Sequence, residues 1–251
     1  MKYKQKFKLI KEILKDSPYE IQKKKIRDLF KKTKNNKSDI LLRLYVIDSC
    51  YSTNMNRRFF GFEELSDLIL KLSVNIKKNI DVNKFIEKNF ELAMKPIGID
   101  KKGNFKGHAF SLLTKYIYFV TDFKFPIYDR FVYDGLIIDG VKLPKIHRPN
   151  IKYFNELVNL ANKLKVSFDD LDKYFWVCGK IREGNLSLLI KDKNYYKNHF
   201  LNKLKLTKKE KKLKSREFDK IISKKLSSEK NYFNDSKLQK IQKLARMIKK
   251  D

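Results

Sequence analysis

The sequence predicts a mostly α-helical protein, and three observations support this fold class. Apolar residues recur at spacings of three and four over most of the chain, as in Leu41, Leu44, Tyr45 and Ile47, which is the periodicity of an amphipathic helix. The strict apolar–polar alternation of a half-buried strand is sparse. Turn signals rich in Asp, Asn, Gly or Pro separate the periodic segments. The pattern indicates a succession of helices joined by short turns.

The helices are predicted in order from this periodicity and from the turn residues between them. Asp16-Ser17-Pro18 separates the first two, because proline starts a helix readily but cannot continue one. Asn35-Asn36 precedes the periodic segment that ends at Cys50-Tyr51, and Lys101-Lys102-Gly103 and Asp139-Gly140 interrupt the later segments. The other predicted helical segments are 4–15, 18–33, 61–77, 81–96, 106–122, 129–138, 150–165 and 167–180.

A short extended segment is predicted from Phe123 to Tyr128. Pro126 lacks a backbone N–H and disfavours helical backbone at the residue before it. Asp129 follows directly and precedes the apolar run FVYDGLII, so it is predicted to be the N-cap of the next helix. Ser167, before the acidic FDDLD segment, is predicted to cap another helix in the same way.

The chain carries a large excess of positive charge. Its 251 residues include 59 Lys and Arg and 29 Asp and Glu, which gives a formal net charge of +30 at pH 7. Such a field attracts polyanions, and nucleic acid is the partner that it favours. Lysine accounts for 50 of the 59 cations, and it binds phosphate as a point charge without the bidentate fork of arginine. The composition predicts attraction to a nucleic-acid backbone and says little about base recognition.

The composition changes after residue 198, which predicts a helical domain over 1–198 and a basic helical C-terminal extension over 199–251. The extension contains 18 Lys and Arg and 6 Asp and Glu. Two interpretations of the extension are open, a solvated lysine-rich helix pair or a second DNA-contacting arm, and its apolar stripe would allow it to pack on the body. Its apolar stripe consists of Leu206, Leu213, Phe218, Ile221, Ile222 and Leu226.

Several other classes of protein are disfavoured. Cys50 and Cys178 are too few for a disulfide framework, and neither they nor His108 and His147 have the ligand spacing of a zinc site. The first 16 residues lack a secretory signal, and no apolar run reaches the roughly 18 residues of a membrane span. We expect a soluble, cytoplasmic, DNA-associated monomer without a metal or cofactor and without a membrane partner.

A polar stripe runs along the predicted helix from Lys106 to Asp122. Ser111, Lys115, Tyr118 and Asp122 follow one another at steps of four, three and four, while the other faces are apolar. Either this stripe faces solvent or it lines a polar pocket between helices.

The order of these features resembles the helix-hairpin-helix superfamily of DNA glycosylases, and within it the prokaryotic proteins similar to 8-oxoguanine DNA glycosylase, some of which are linked to phage defence. The strongest match is FSLLTKYIYFVTDFKFPIYD, residues 110–129, whose FPIYD turn is similar to the family's V-P-V-D pattern with one extra residue. LYVIDSCYSTN, residues 44–54, and FDDLDKYFWVCGK, residues 168–180, match more weakly. The resemblance implies a two-lobed helical bundle whose cleft admits an extruded base.

The resemblance also implies an activity, the excision of a modified base from double-stranded DNA in base-excision repair or phage defence. Asp129 matches the catalytic aspartate, whose carboxylate faces the positive charge that develops on the sugar. Members that also cut the strand use a lysine whose position here falls on Ala109 or Phe110. Lys115, preferred because burial could make it nucleophilic, and Lys106 flank that position. A monofunctional enzyme that uses water is the plainer expectation.

The remaining candidates each have a structural alternative, such as a helix cap, a surface loop or core packing. The family's L-P-G-x-G-x-K hairpin is absent, and the glycines of residues 103–108 are spaced differently, which weakens the expected grip on phosphate. Candidate substrate-binding residues are Ser111, Tyr51, Ser52, Asn54 and Trp176, and candidate DNA-binding residues are Arg57, Arg58, Lys106 and Arg130. The alternative function is that of a non-catalytic, basic nucleic-acid-binding protein in which Asp129 is only a helix cap.

Overall fold

The computed structural model describes residues 2–73, 80–138, 149–190, 193–211, 215–228, 230 and 232–249. Within these ranges every regular element is a helix, which confirms the predicted mostly α-helical fold. The same ranges contain no helix long and apolar enough to cross a bilayer. The predicted turn at Asp139-Gly140 and the side chain of His147 lie outside the described residues.

The helices begin and end within a few residues of most of the predicted bounds. They are α1 (Lys2–Leu14), α2 (Pro18–Lys32), α3 (Lys37–Tyr51), α4 (Gly61–Ser73), α5 (Val82–Ala93), α6 (Phe110–Val120), α7 (Arg130–Ile138), α8 (Ile151–Leu164), α9 (Phe168–Glu183), α10 (Lys193–Tyr195), α11 (Lys208–Lys211), α12 (Ser215–Leu226) and α13 (Ser236–Lys249). A 3₁₀ turn, Met55–Arg57, follows α3, and a π-helical turn, Tyr196–Leu201, follows α10.

Helix α6 starts later than the sequence predicts. The predicted helix 106–122 was expected to include Lys106, but the Lys106 N–H donates to the Gly98 carbonyl at 2.8 Å. That bond belongs to a hairpin over residues 97–107, in which Ile99 pairs with Phe105. The prediction was wrong at this end because pairing with an earlier part of the chain outweighs local helix propensity.

The two predicted N-caps are confirmed. The Ser167 hydroxyl accepts a hydrogen bond from the Asp170 N–H at 3.0 Å. The Asp129 carboxylate accepts one from the Phe131 N–H at 2.9 Å. Each bond satisfies a backbone donor that the first turn of a helix leaves without an intrahelical acceptor.

The chain divides into two compact units. The first consists of Met1–Ile21, Asp134–Gly140 and Lys173–Asp251, and the second consists of Gln22–Tyr133 and Val141–Asp172. The predicted boundary between residues 198 and 199 falls inside the first unit. This division separates the basic C-terminal helices from the segment that carries Lys115 and Asp129.

In the first unit the C-terminal helices pack rather than lie in solvent. Ile222 and Leu226 of α12 are fully buried. Helix α13 packs against α1, and Lys240 pairs with Glu12 at 3.0 Å. Three residues of the predicted apolar stripe, Leu206, Ile222 and Leu226, are therefore buried, whereas Leu213 lies outside the described residues.

In the second unit, helix α6 is buried on nearly all sides, including Lys115 and Tyr118 of its polar stripe. Lys115 is 2% exposed and Tyr118 is 0% exposed, so the solvent-facing interpretation of the stripe is wrong at these two positions. The Tyr118 hydroxyl donates to Asp169 at 2.6 Å, and Asp122 accepts two hydrogen bonds from Arg27 at 2.6 and 2.8 Å. The stripe meets polar partners on other helices, because a buried polar group costs free energy unless it is hydrogen-bonded.

Candidate active site

Lys115 and Asp129 form an ion pair at the end of the extended segment. The Lys115 Nζ lies 3.3 Å from the Asp129 Oδ2 and donates to the Ser111 Oγ at 2.7 Å. Ser111 and Lys115 are one helical turn apart on α6, so their contact follows from the four-residue spacing. The lysine side chain is 2% exposed and the aspartate side chain is 26% exposed. Asp129 is therefore the member of the pair that a ligand can reach.

The Asp129 carboxylate has two separate tasks. Its Oδ1 accepts the Phe131 N–H at the start of α7, while its Oδ2 faces Lys115. The Asp129 carbonyl also accepts the first helical hydrogen bond, from Tyr133 at 3.0 Å. These contacts fix the position of the carboxylate at the helix start, where the helix dipole favours negative charge.

The segment before Asp129 is held by two residues that were not predicted from the sequence. The Thr114 Oγ1 accepts the Tyr128 N–H at 3.0 Å, and the Tyr153 hydroxyl donates to the Ile127 carbonyl at 2.7 Å. Both bonds are buried and tie the non-helical backbone to α6 and α8. Thr114 lies beside Lys115 in the sequence, but no local signal marks Tyr153, which is 26 residues from its partner.

The side-chain nitrogen of Lys115 lies over the ring of Tyr51. The Lys115 Nζ is 5.6 Å from the centre of the Tyr51 ring, a cation–π distance. Burial raises the pKa of Tyr51 well above its usual value, and the nearby carboxylates of Asp172, Asp129 and Asp169 raise it further. The phenol therefore stays protonated at neutral pH and is able to donate a hydrogen bond.

A second buried ion pair is built on α2 and α9. The Lys23 Nζ lies 2.5 Å from Asp169 and 3.5 Å from Asp172, and it is 3% exposed. The ammonium also lies 4.9 Å from the Tyr118 ring centre. Because Asp172 acts electrostatically on Tyr51, this cluster contributes to the field near Lys115 and Asp129.

Asp48, Ser52 and Asn54 form the end of α3 and the turn after it. The Asp48 carboxylate accepts hydrogen bonds from the backbone N–H groups of Met55 and Asn56 at 2.9 and 3.3 Å, so it holds this turn. Ser52 and Asn54 are exposed and line a surface depression of about 390 Å³ together with Tyr45 and Phe62. Ser52 and Asn54 thus line this depression, whereas Tyr51 contacts Lys115.

Arg58 has a structural role in a surface loop. Its guanidinium donates to the carbonyl oxygens of Ile97 at 3.1 Å, Gly107 at 2.6 Å and His108 at 3.4 Å. Burial lowers the pKa of Arg58. A guanidinium engaged by three carbonyls is poorly placed to bind a phosphate as well.

The remaining predicted residues differ in their surroundings. Arg57 and Arg130 are exposed, whereas Lys106 is half-buried in the 97–107 hairpin. Trp176 belongs to the first unit, where its ring stacks on Tyr19 with centroids 4.2 Å apart. Trp176 is 9% exposed, which is typical of a packing residue.

Among the described residues no group of three or more His, Cys, Asp or Glu side chains could hold a metal ion. The His108 Nδ1 accepts the Phe110 N–H at 3.4 Å. The candidate site is therefore built from the ion pair, Ser111 and Tyr51.

No protein-family model matches the chain, and no curated protein or solved structure matches it. The resemblance to DNA glycosylases stays a prediction.

Replacing Tyr128 with Phe is expected to reduce the loss of stability at alkaline pH. Burial raises the pKa of Tyr128 to about 12, whereas an unfolded tyrosine ionises near pH ~10. Between these values the folded state binds more protons than the unfolded state, so the free energy of unfolding falls as pH rises from about 10 to 12. Urea unfolding at several pH values measures this slope, which is expected to be shallower for Tyr128→Phe than for the wild type. A half-exposed tyrosine, Tyr45→Phe, is the control, and equal slopes for Tyr128→Phe and wild type would contradict the prediction.

Proposed function

We propose that this protein is a DNA glycosylase that binds an extruded, modified base and cleaves its N-glycosidic bond. The observation that carries the proposal is the arrangement of Asp129, whose carboxylate is fixed from two sides yet is 26% exposed. A fixed carboxylate is suited to a reaction in which positive charge develops on a sugar.

In the proposed reaction, water attacks C1′ of the deoxyribose. The bond between C1′ and the base breaks, and the base leaves with the bonding electrons and takes up a proton. The water oxygen becomes the new substituent on C1′ and loses a proton, leaving an abasic site. Asp129 stabilises the oxocarbenium-like transition state and orients the water, because both tasks require an anionic oxygen close to C1′.

Lys115 is assigned a positioning role. Its Nζ is buried and engaged by Ser111 and Asp129, so it is poorly placed to attack the sugar. This geometry favours monofunctional cleavage by water. The alternative, a Schiff base on Lys115 followed by strand cleavage, requires the Lys115 Nζ to leave these contacts and reach C1′.

The proposed partner is double-stranded DNA with a modified or damaged base. The net charge of +30 supplies the attraction to its backbone, and the exposed Arg130 directly follows Asp129. The protonated Tyr51 hydroxyl and the nearby polar groups offer hydrogen bonds to an extruded base. Arg58 is left out of this proposal, because its guanidinium is engaged by the protein backbone.

A second candidate function is that of a non-catalytic nucleic-acid-binding protein. The hydrogen bond from the Phe131 N–H to Asp129 favours it, since a helix cap alone accounts for an aspartate at this position. The two functions differ in whether the DNA loses a base.

Incubation with duplexes that each carry one modified base tests the proposal. The panel contains 8-oxoguanine, uracil and glycosylated 5-hydroxymethylcytosine, with an unmodified duplex as the control, and released bases are identified by mass spectrometry. At least one duplex is expected to lose its base and to break only after mild alkali. Breaks without alkali, with a borohydride-trapped adduct, would support the Schiff-base alternative. Binding of all duplexes without release of any base would favour the second candidate function.

A further inference from the structure

A small paired segment outside the candidate active site presents three phenylalanines to solvent. Phe59 pairs with Ile99, and Ile99 pairs with Phe105, both in antiparallel fashion. Side chains of directly paired residues project from the same face, so Phe59, Ile99 and Phe105 form one row across three neighbouring strand segments. At about 4.8 Å between neighbours, the row is about 10 Å wide. We call the row, together with the adjacent Phe60, the aromatic platform.

The rings of the aromatic platform are unusually accessible. Phe59 is 53% exposed, Phe60 is 66% exposed and Phe105 is 80% exposed. Large apolar side chains that cluster on a surface mark an interaction site more often than single ones do.

Polar contacts fix the backbone segments that carry the aromatic platform. The Arg58 guanidinium joins the loop before Phe59 to the carbonyls of Ile97 and Gly107, at the two ends of the hairpin. Glu64 accepts the Gly98 N–H beside Ile99. The surface is therefore organised before any ligand binds, which lowers the entropy cost of binding.

Backbone strain at one ring points in the same direction. Phe60 has a φ of +59°, in the left-handed region that is costly for a bulky residue. The strained residue is one of the most exposed rings rather than a core residue. Strain retained at an exposed aromatic residue is typical of functional surfaces.

The charges beside the aromatic platform identify the chemistry of its partner. Residues 54–60 and 95–107 contain five Lys and Arg residues besides Arg58, which is engaged by backbone carbonyls, and one acidic residue, Asp100, while Glu64 of α4 is engaged by the Gly98 N–H. The Asp100 carboxylate is engaged by the backbone N–H groups of Lys102 and Asn104 at 2.8 and 3.0 Å, which lower its pKa. Cations beside exposed rings fit phosphates beside flat bases, the combination found in proteins that bind single strands.

Other occupants fit less well. A second copy of this chain would bring a net charge of +30 against the same charge. A membrane interface favours Trp and Tyr and a larger apolar face than a row about 10 Å wide.

We propose that the aromatic platform stacks against unpaired bases of DNA. The binding is independent of the sequence of the strand, since every base has a flat face, and it depends on bases as well as on phosphates. It does not rely on cleavage of any glycosidic bond.

Two single-stranded oligonucleotides of equal length test the proposal, one of thymidines and one of abasic tetrahydrofuran units with the same phosphates. Binding is measured by fluorescence anisotropy for the wild type, Phe105→Ala and Phe59→Ala/Phe105→Ala. The wild type is expected to bind the thymidine strand more tightly. Each ring removed is expected to weaken that binding about 10-fold and to leave the affinity for the abasic strand unchanged. Leu42→Ala, which truncates another exposed apolar side chain, is the control and is expected to match the wild type.

Three results would overturn the proposal. The first is an equal loss of affinity for both strands, which would assign only a phosphate-binding or structural role to the rings. The second is unchanged thymidine binding together with lost binding to phosphatidylserine vesicles. The third is a wild-type dimer that the double variant converts to a monomer without any change in thymidine binding. Asp129→Asn is expected to keep the preference for the thymidine strand, so failure of the proposed glycosylase activity is distinguishable from failure of this proposal.

Discussion

An Asp129→Asn variant is expected to release bases about 10²- to 10⁴-fold more slowly than the wild type on the modified duplex that the wild type cleaves. Asparagine keeps the shape of the side chain and an oxygen that accepts the Phe131 N–H, so helix α7 keeps its cap. It loses the negative charge that is proposed to face C1′. DNA affinity is expected to hold or to rise, because one negative charge is removed from a surface that is proposed to bind phosphates.

A matched variant separates loss of this charge from general damage. Asp122→Asn removes another partly exposed carboxylate, 33% exposed and paired with Arg27, and is expected to keep the wild-type rate. Because Asp129→Asn also leaves the buried Lys115 without its anionic partner, both variants are compared by urea unfolding at the assay temperature. Equal base release by Asp129→Asn and the wild type would assign Asp129 to capping alone.

A Gly184→Ala variant is expected to lose about 2–5 kcal/mol of unfolding free energy, the largest effect on stability that we predict. Gly184 ends α9 with a φ of +70°, and the N–H groups of residues 184 and 185 bond to the carbonyls of Ile181 and Lys180 at 3.1 and 3.0 Å. An added Cβ would lie 2.1 Å from the backbone oxygen of Asp219 in α12. The methyl group has no space, and backbone cannot move aside as a flexible side chain would.

Gly103→Ala provides the comparison for this result. Gly103 also has a positive φ, +79°, but an added Cβ would meet no atom within 4 Å. The Gly103→Ala variant is expected to lose only about 1–2 kcal/mol of unfolding free energy, the cost of left-handed backbone at a residue that has a Cβ. Urea unfolding followed by circular dichroism measures both variants. Similar losses of unfolding free energy for Gly184→Ala and Gly103→Ala would contradict the prediction, because they would show that the backbone of α12 leaves room for a methyl group at residue 184.

Most of the fold could be predicted because its signals are local. The caps at Asp129 and Ser167 follow from side chains that bond within three residues of their own position. The contact of Ser111 with Lys115 follows from helical spacing, and Tyr51, a predicted substrate-binding residue, lies near Lys115. In each of these cases the chemistry of a few neighbouring residues decides the geometry.

The remaining features depend on contacts between distant parts of the chain. The start of α6 was predicted too early because the hairpin over 97–107 pairs with Phe59, which no local pattern indicates. The hydrogen bond from Tyr153 to Ile127 and the three carbonyls around Arg58 are of the same kind. The sequence does not distinguish a tyrosine or an arginine that binds a ligand from one that binds the backbone. Only the tertiary structure separates the two roles.

The double task of the Asp129 carboxylate has an evolutionary consequence. Since Oδ1 supports the start of α7 and Oδ2 carries the charge opposite Lys115, a single exchange of oxygen for an amide nitrogen would keep the helix cap while removing both the proposed chemistry and the anionic partner of Lys115. Under the proposed function, a homologue with asparagine at this position would be a pseudoenzyme that keeps the cap of α7. Which of the two residues is retained would mark whether a lineage was selected for catalysis or for occupancy of its target.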